Sequence, residues 1–239
     1  MQSDSRLVTL EPGKEMNGPP WVREQSGKFG TLLSRGDYPC NFGRTALLRG
    51  DLYATWVNEA EPTRLPDDMR RFVHTALSHP GRRQPLAVFV RPRESERTQL
   101  DYDRRFWSIL AYLLDHDGQP WPADVPRDPA EPGWQFCFAG QSIFVFALTP
   151  LNERRLSRNL CDCLVLVFQL RSVFSGIEVG TAAGDIARQR IRARLAAWDE
   201  VGRHPSMGDH DELSDDEWRQ YFLTDSNEDL HPKCPLAED

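Results

Sequence analysis

Cys40 has the best context in this chain for a reactive sulfur. It lies in a Pro-Cys turn, Pro39-Cys40-Asn41-Phe42-Gly43, with a helix expected just after it. The partial positive charge at a helix N-terminus lowers the pKa of a thiol, and the thiolate is the form that attacks electrophiles and binds metals. Cysteine is also often a small buried hydrophobe, so core packing is the competing role. His204 is the second donor, followed by Pro205 and placed just after a strongly helical stretch. Imidazole is a frequent metal ligand, but a histidine at a helix end is also stabilised by the helix dipole alone.

The other donors read as structural. His74 falls off the apolar stripe of its helix, His79 and His116 sit at helix ends, and His210 and His231 lie in acidic stretches. None of these five is expected to bind a metal. Cys161 and Cys163 would share one face of a strand, but the pair lacks the second pair that a zinc site needs. Cys234-Pro235 reads as an anchor for the chain end. Asp199 and Glu217 are carboxylates that could hold a planar cation in a bidentate pair; Arg154, Arg155, Arg158 and Arg219 could hold carboxylates. Their ordinary alternatives are an i,i+4 contact of Asp199 with Arg203, a helix start at Glu217, and surface salt bridges for the arginines. The arginine cluster follows a buried strand directly, which favours a functional role. There is no P-loop, dinucleotide-binding glycine turn, G-x-S-x-G elbow or H-E-x-x-H pair.

Four helices should position these groups: about Ala46 to Asn58, a second from Pro66, about Thr98 to Asp115, and about Ala183 to Val201. Met69, Phe72, Val73, Ala76 and Leu77 form the stripe of the second, and Thr98 with Asp101 caps the third. Ala187, Ile191, Leu195 and Trp198 are expected to face inward from the fourth. Strands are expected at Leu86 to Val90, in a hairpin of Trp134–Phe138 with Ser142–Leu148, and at Cys163 to Leu170, whose apolar run predicts burial on both faces. The fold class is α+β: a mainly antiparallel sheet packed with helices, in a single domain. Residues 1–36 lack periodicity, are broken by Gly18-Pro19-Pro20 and Gly27, and read as an arm that packs on the body or stays mobile; 37–223 is the domain, and 224–239 an acidic tail.

The formal net charge of −7 disfavours a nucleic-acid partner. No apolar run is long enough to cross a bilayer, and no secretory signal is visible from Met1 to Leu10, so no membrane association and a cytoplasmic location are expected. Five cysteines without a disulfide framework agree with a reducing compartment.

Read in order, Pro39–Gly43, Trp134-Gln135-Phe136, Arg154–Arg158, Asp199, His204-Pro205-Ser206-Met207-Gly208 and Glu217-Trp218-Arg219-Gln220-Tyr221-Phe222-Leu223 resemble the YqcI/YcgG family of bacterial proteins, over about Tyr38 to Pro235. The resemblance implies a haem-dependent oxygenase that hydroxylates a guanidine nitrogen of L-arginine or a related amino acid. It implies one haem b, dioxygen or peroxide as oxidant, and an external reductase, since the chain shows no flavin or iron–sulfur motif. It leaves a homodimer open. Cys40 or His204 is then the expected axial ligand of the iron, Cys40 slightly preferred because a thiolate favours O–O cleavage. Asp199, Glu217 and Tyr221 become the candidate catalytic residues, and Arg155, Arg158 and Arg219 the candidates for holding the propionates or the amino-acid carboxylate. The competing reading is a haem or small-molecule sensor without turnover; a third is a purely structural partner protein.

Overall fold

The computed structural model describes residues 6–58, 63–174, 181–207 and 216–237. Its centre is a six-stranded sheet. In chain order the elements are β1 (Val8–Thr9), α1 (Pro20–Ser34), α2 (Asn41–Arg49), β2 (Tyr53–Val57), α3 (Leu65–Leu77), β3 (Pro85–Val90), α4 (Gln99–Asp115), β4 (Cys137–Phe138), β5 (Gln141–Leu148), β6 (Val165–Leu170) and α5 (Ala182–Trp198). The strand order is β1-β2-β3-β6-β5-β4. Only β2 and β3 run parallel; the other neighbours are antiparallel, so the class is α+β.

Alternation along the central strands sorts side chains into two cores. Leu86, Val88 and Val90 of β3 and Leu166, Phe168 and Leu170 of β6 join α3, α4 and Trp218, Tyr221 and Phe222 on one face. Ala87, Phe89, Val165 and Val167 join Val22, Phe29, Leu33 and Leu47 on the other. β3 is buried along its whole length, as its uninterrupted apolar run requires.

The chain signals several boundaries. Thr98 and Asp101 close the expected capping box at the start of α4. Ala139 and Gly140, with φ of 52° and 69°, make the two-residue turn into β5. Positive φ at both central positions is what a tight hairpin turn of this hand needs.

Two expectations need correction, and one left open between alternatives is decided. The helix expected over Ala46 to Asn58 starts at Asn41 and stops at Arg49, because Gly50 takes the left-handed conformation at φ 69°. Tyr53, Thr55, Trp56 and Val57, strand formers by type, then pair in parallel with β3. The segment expected as an arm packs on the body with regular structure: β1 extends the sheet and α1 buries Val22, Phe29 and Leu33. Gly27 and Gly30 sit inside α1, since a glycine in a helix costs only about 1 kcal/mol and packing outweighs it. Finally, of the residues expected to face inward from α5, Trp198 packs against the core beside Tyr38, while Ala187, Ile191 and Leu195 stay outside it. They are half-buried, and Gly184 alone is buried in that helix. α5 lies at the periphery, tied by Arg194 to the carbonyls of Gly36 and Tyr38.

Candidate functional site

α2 begins at Cys40, whose Sγ accepts the Gly43 amide at 3.3 Å. Two residues earlier, the Tyr38 hydroxyl donates to the Ser157 carbonyl at 2.9 Å. Ser157 lies in the short 3-10 turn Leu156–Arg158 that follows β5. Its amide and hydroxyl donate to Asp199 at 2.7 and 2.8 Å, and Asp199 caps the C-terminus of α5. A chain of contacts thus runs from the Cys40 turn through Tyr38 and Ser157 to Asp199. Trp198 packs edge-on against Tyr38, with ring centroids 5.5 Å apart.

Asp199 opens onto a cavity of about 270 Å³ that Arg155, Arg192, Leu195 and Arg203 also line. That volume sits just below the range of drug-sized pockets and matches a small polar molecule. Burial raises the Asp199 pKa, while the Ser157 hydrogen bonds and the charges of Arg155 and Arg158 oppose the rise. The expected Asp199–Arg203 contact does not form: Arg203 donates to the Met207 carbonyl at 2.6 Å instead.

Arg158 is buried and packs over the Phe146 ring, 4.4 Å from its centroid. One of its nitrogens donates to the Ala147 carbonyl at 3.3 Å. Burial pushes its pKa down to about 10, with Tyr38, Asp199 and Cys40 acting in the opposite direction. Among the described residues no carboxylate lies within ion-pair distance of it. Arg155 is engaged differently. Its Nε donates to the Thr224 carbonyl at 2.7 Å and its Nη2 to Asn227 at 2.8 Å, so it rivets the C-terminal segment to the body.

The expected acidification of Cys40 is not seen. Burial pushes the thiol up, and the Gly43 and Phe42 amides and Arg158 only partly offset it. The positive end of α2 is present, but desolvating a negative sulfur outweighs it. His204 is buried, its Nδ1 accepts the Ser206 amide at 3.2 Å, and its ring also hydrogen-bonds the Glu228 backbone. Burial and the nearby Arg155 lower its pKa.

Glu217, Tyr221 and Arg219 form a second cluster at the outer edge of β5, sharing no residue with the cavity. The Tyr221 hydroxyl donates to Glu217 at 2.8 Å and accepts the Phe136 amide at 3.2 Å. Its carbonyl accepts the Ala147 amide at 2.7 Å. Arg171 pairs with Glu217. Arg219 binds Asp216 at 2.9 Å and Asp229 at 3.0 Å, and lies over Trp218. These contacts fasten the last described segment to the sheet. Cys234 is buried in the same core, and His231 meets Asp103 at 2.7 Å. His210 lies outside the described residues. Cys161 and Cys163 are buried with sulfurs 3.6 Å apart, as free thiols.

Sequence reasoning misses Tyr38, Ser157, Trp198 and Arg171. Tyr38 and Trp198 each sit within two residues of a candidate already singled out, and that proximity is the one signal the sequence offers for them.

The family's sequence profile matches residues 29–237. The chain belongs to the YqcI/YcgG family. It is 31% identical over 233 residues to "Uncharacterized protein YqcI" of Bacillus subtilis, covering 95% of this chain and 89% of that one. It is 32% identical over 206 residues to "Uncharacterized protein YcgG" of the same organism, covering 84% and 81%. A more distant relative is the Streptomyces lavendulae protein named "Putative N(omega)-hydroxy-L-arginine synthase DcsA", 26% identical over 242 residues, covering 98% of this chain and 90% of that one. No solved structure matches. Among the described residues no helix is long and apolar enough to cross a membrane.

The two donor candidates fit a haem iron unequally. No cluster of three or more metal-binding side chains exists among the described residues. Cys40 would suit a sulfur ligand, because the Gly43 amide already points at its Sγ at 3.3 Å and favours negative charge there. His204 is less available, because its Nδ1 already accepts the Ser206 amide at 3.2 Å.

Proposed function

We propose that this protein is a haem-dependent N-hydroxylase of an amino-acid guanidine, with L-arginine the first candidate. One observation carries the reading: Arg158 is a buried guanidinium with no carboxylate partner among the described residues, in the turn whose Ser157 joins Tyr38 and Asp199. A buried, unpaired cation is costly, so such a group calls for an anion from outside the protein. A thiolate bound to iron, or a haem propionate, supplies one. The name of the Streptomyces relative supports the reaction class.

Haem, when bound, supplies the activation of dioxygen or peroxide. The chain supplies the rest. Cys40 Sγ would hold the iron, and the Gly43 amide would stabilise its negative charge. Asp199 holds the guanidinium in the small cavity, orienting one nitrogen for reaction. Ser157 fixes the Asp199 carboxylate with two donors, so its position is set before substrate arrives. Arg203 lines the same cavity and would meet the substrate carboxylate.

The test is a haemin titration followed by incubation with L-arginine and peroxide. A Soret band with a one-to-one endpoint and an arginine product heavier by one oxygen atom support the reading. Haem binding with no product from arginine or homologous guanidines leaves a haem sensor. The absence of a Soret band overturns the haem assignment.

A further inference from the structure

A second cavity, of about 650 Å³, opens between α2 and the turn after α3. Arg49, Arg82 and Arg83 line it with Phe42 and Asp51. Arg82 holds Asp51, the one carboxylate among the described lining residues, at 3.0 Å, and the Arg83 guanidinium lies 4.5 Å from the Phe42 ring centroid. The Arg82 side chain remains 60% exposed, and Arg49 is exposed. Three arginines against one aspartate leave this groove positive, on a chain whose net charge is −7. A local patch opposite in sign to the whole molecule is a selective steering device: it attracts an acidic surface in one orientation and repels it elsewhere.

The groove is also adjacent to the sulfur. Asn41 and Phe42, the two residues after Cys40, form part of its wall. The chain shows no redox motif of its own, and its hydroxylation needs electrons. Inserting one atom of dioxygen into an N–H bond and reducing the other to water consumes two electrons and two protons.

We propose that this groove docks a small acidic one-electron carrier protein, with Arg49, Arg82 and Arg83 making the contacts. The proposal rests on the hydroxylase reading above. The carrier is oxidised by one electron at each docking, two dockings complete one turnover, and the protons come from solvent.

The experiment uses the full chain and a purified flavodoxin as the probe. Affinity is measured by calorimetry at low and at physiological ionic strength, with and without haem. We expect binding that weakens with salt, and a loss of at least about tenfold in an Arg49→Glu/Arg82→Glu variant. An Arg71→Glu/Arg127→Glu variant carries the same charge change on exposed residues outside the groove and should bind like the wild type. In turnover, the groove variant should keep peroxide-supported hydroxylation and lose flavodoxin-supported hydroxylation. No binding by the wild type, or an equal loss in both double variants, overturns the docking site. Charge-reversible binding with no product by either route keeps the docking site and overturns the hydroxylase reading instead.

Discussion

Ser157 donates both its amide and its hydroxyl to Asp199, at 2.7 and 2.8 Å, across 42 positions of sequence. The turn after β5 and the end of α5 are therefore joined at one carboxylate. Asp199 has two consequences, one for stability and one for substrate.

Asp199→Asn should lower stability at neutral pH by about 1–3 kcal/mol, because hydrogen bonds to a charged acceptor become weaker and one amide NH₂ faces a donor. The pH dependence has a definite sign. Asp199 is raised in the folded protein, so the native state binds the extra proton. Its contribution is fully present below the ordinary carboxylate value and is lost as pH rises through the raised one. The gap between wild type and variant should therefore be widest at low pH and narrow as pH rises through that window, leaving the loss of about 1–3 kcal/mol at neutral pH. In binding assays the same variant should weaken arginine affinity by about 2–5 kcal/mol. Unchanged affinity would remove Asp199 from the substrate site.

Cys40→Ser separates the sulfur's two roles. Serine is a better helix N-cap than cysteine, so α2 should hold and the melting temperature should not fall. The ferrous–CO complex should lose its red-shifted thiolate band. His204→Ala should keep that band, since the imidazole is already bonded to Ser206 and Glu228. A Cys40→Ser protein with the wild-type spectrum would show that another residue binds the iron.

Phe29→Ala tests whether the N-terminal helix belongs to the fold. Phe29 is buried and packs edge-on against Phe89 of β3, with centroids 5.4 Å apart. Truncating such a pair costs about 3–5 kcal/mol. Denaturant melts should show that loss in one transition. A loss under about 1 kcal/mol would mean that α1 rests only loosely on the sheet.

Strong local signals make much of this fold legible in the amino-acid sequence. The stripe of α3, the capping box of α4, the Ala139-Gly140 turn and the apolar runs of β3 and β6 each announce their element within a few residues. What escapes has no such signal. β2 is five residues long and follows a helix after a single left-handed glycine, so a helical pattern runs straight through it. α1 buries Gln25 and Ser26 beside Val22 and Phe29, which blurs its periodicity. The site is half legible: Cys40, Arg158 and Asp199 stand out by type. Their linkage through Ser157 and Tyr38 is a contact between distant segments, to which local pattern is blind. Arg155, Arg219 and His204 look equally eligible by type, and only their hydrogen bonds show how fully the protein itself engages them.

Arg158→Met gives the sharpest separation of stability from function. Methionine fills much of the arginine stem's space and can still pack on Phe146, while the buried charge disappears. Replacing a buried ion by an apolar side chain is often neutral or stabilising, because the desolvation penalty goes with it. The lowered pKa of Arg158 reports that penalty. Without haem, the variant should melt at or above the wild-type temperature. With haem the order should reverse: the variant should bind haemin at least about tenfold more weakly, having lost a charge-assisted contact of about 1.5–3 kcal/mol. Haemin titration and thermal melts of both forms check this together. A variant that is destabilised without haem yet binds haemin normally would mean that Arg158 serves the protein's own fold, and the anion it awaits would have to be sought elsewhere.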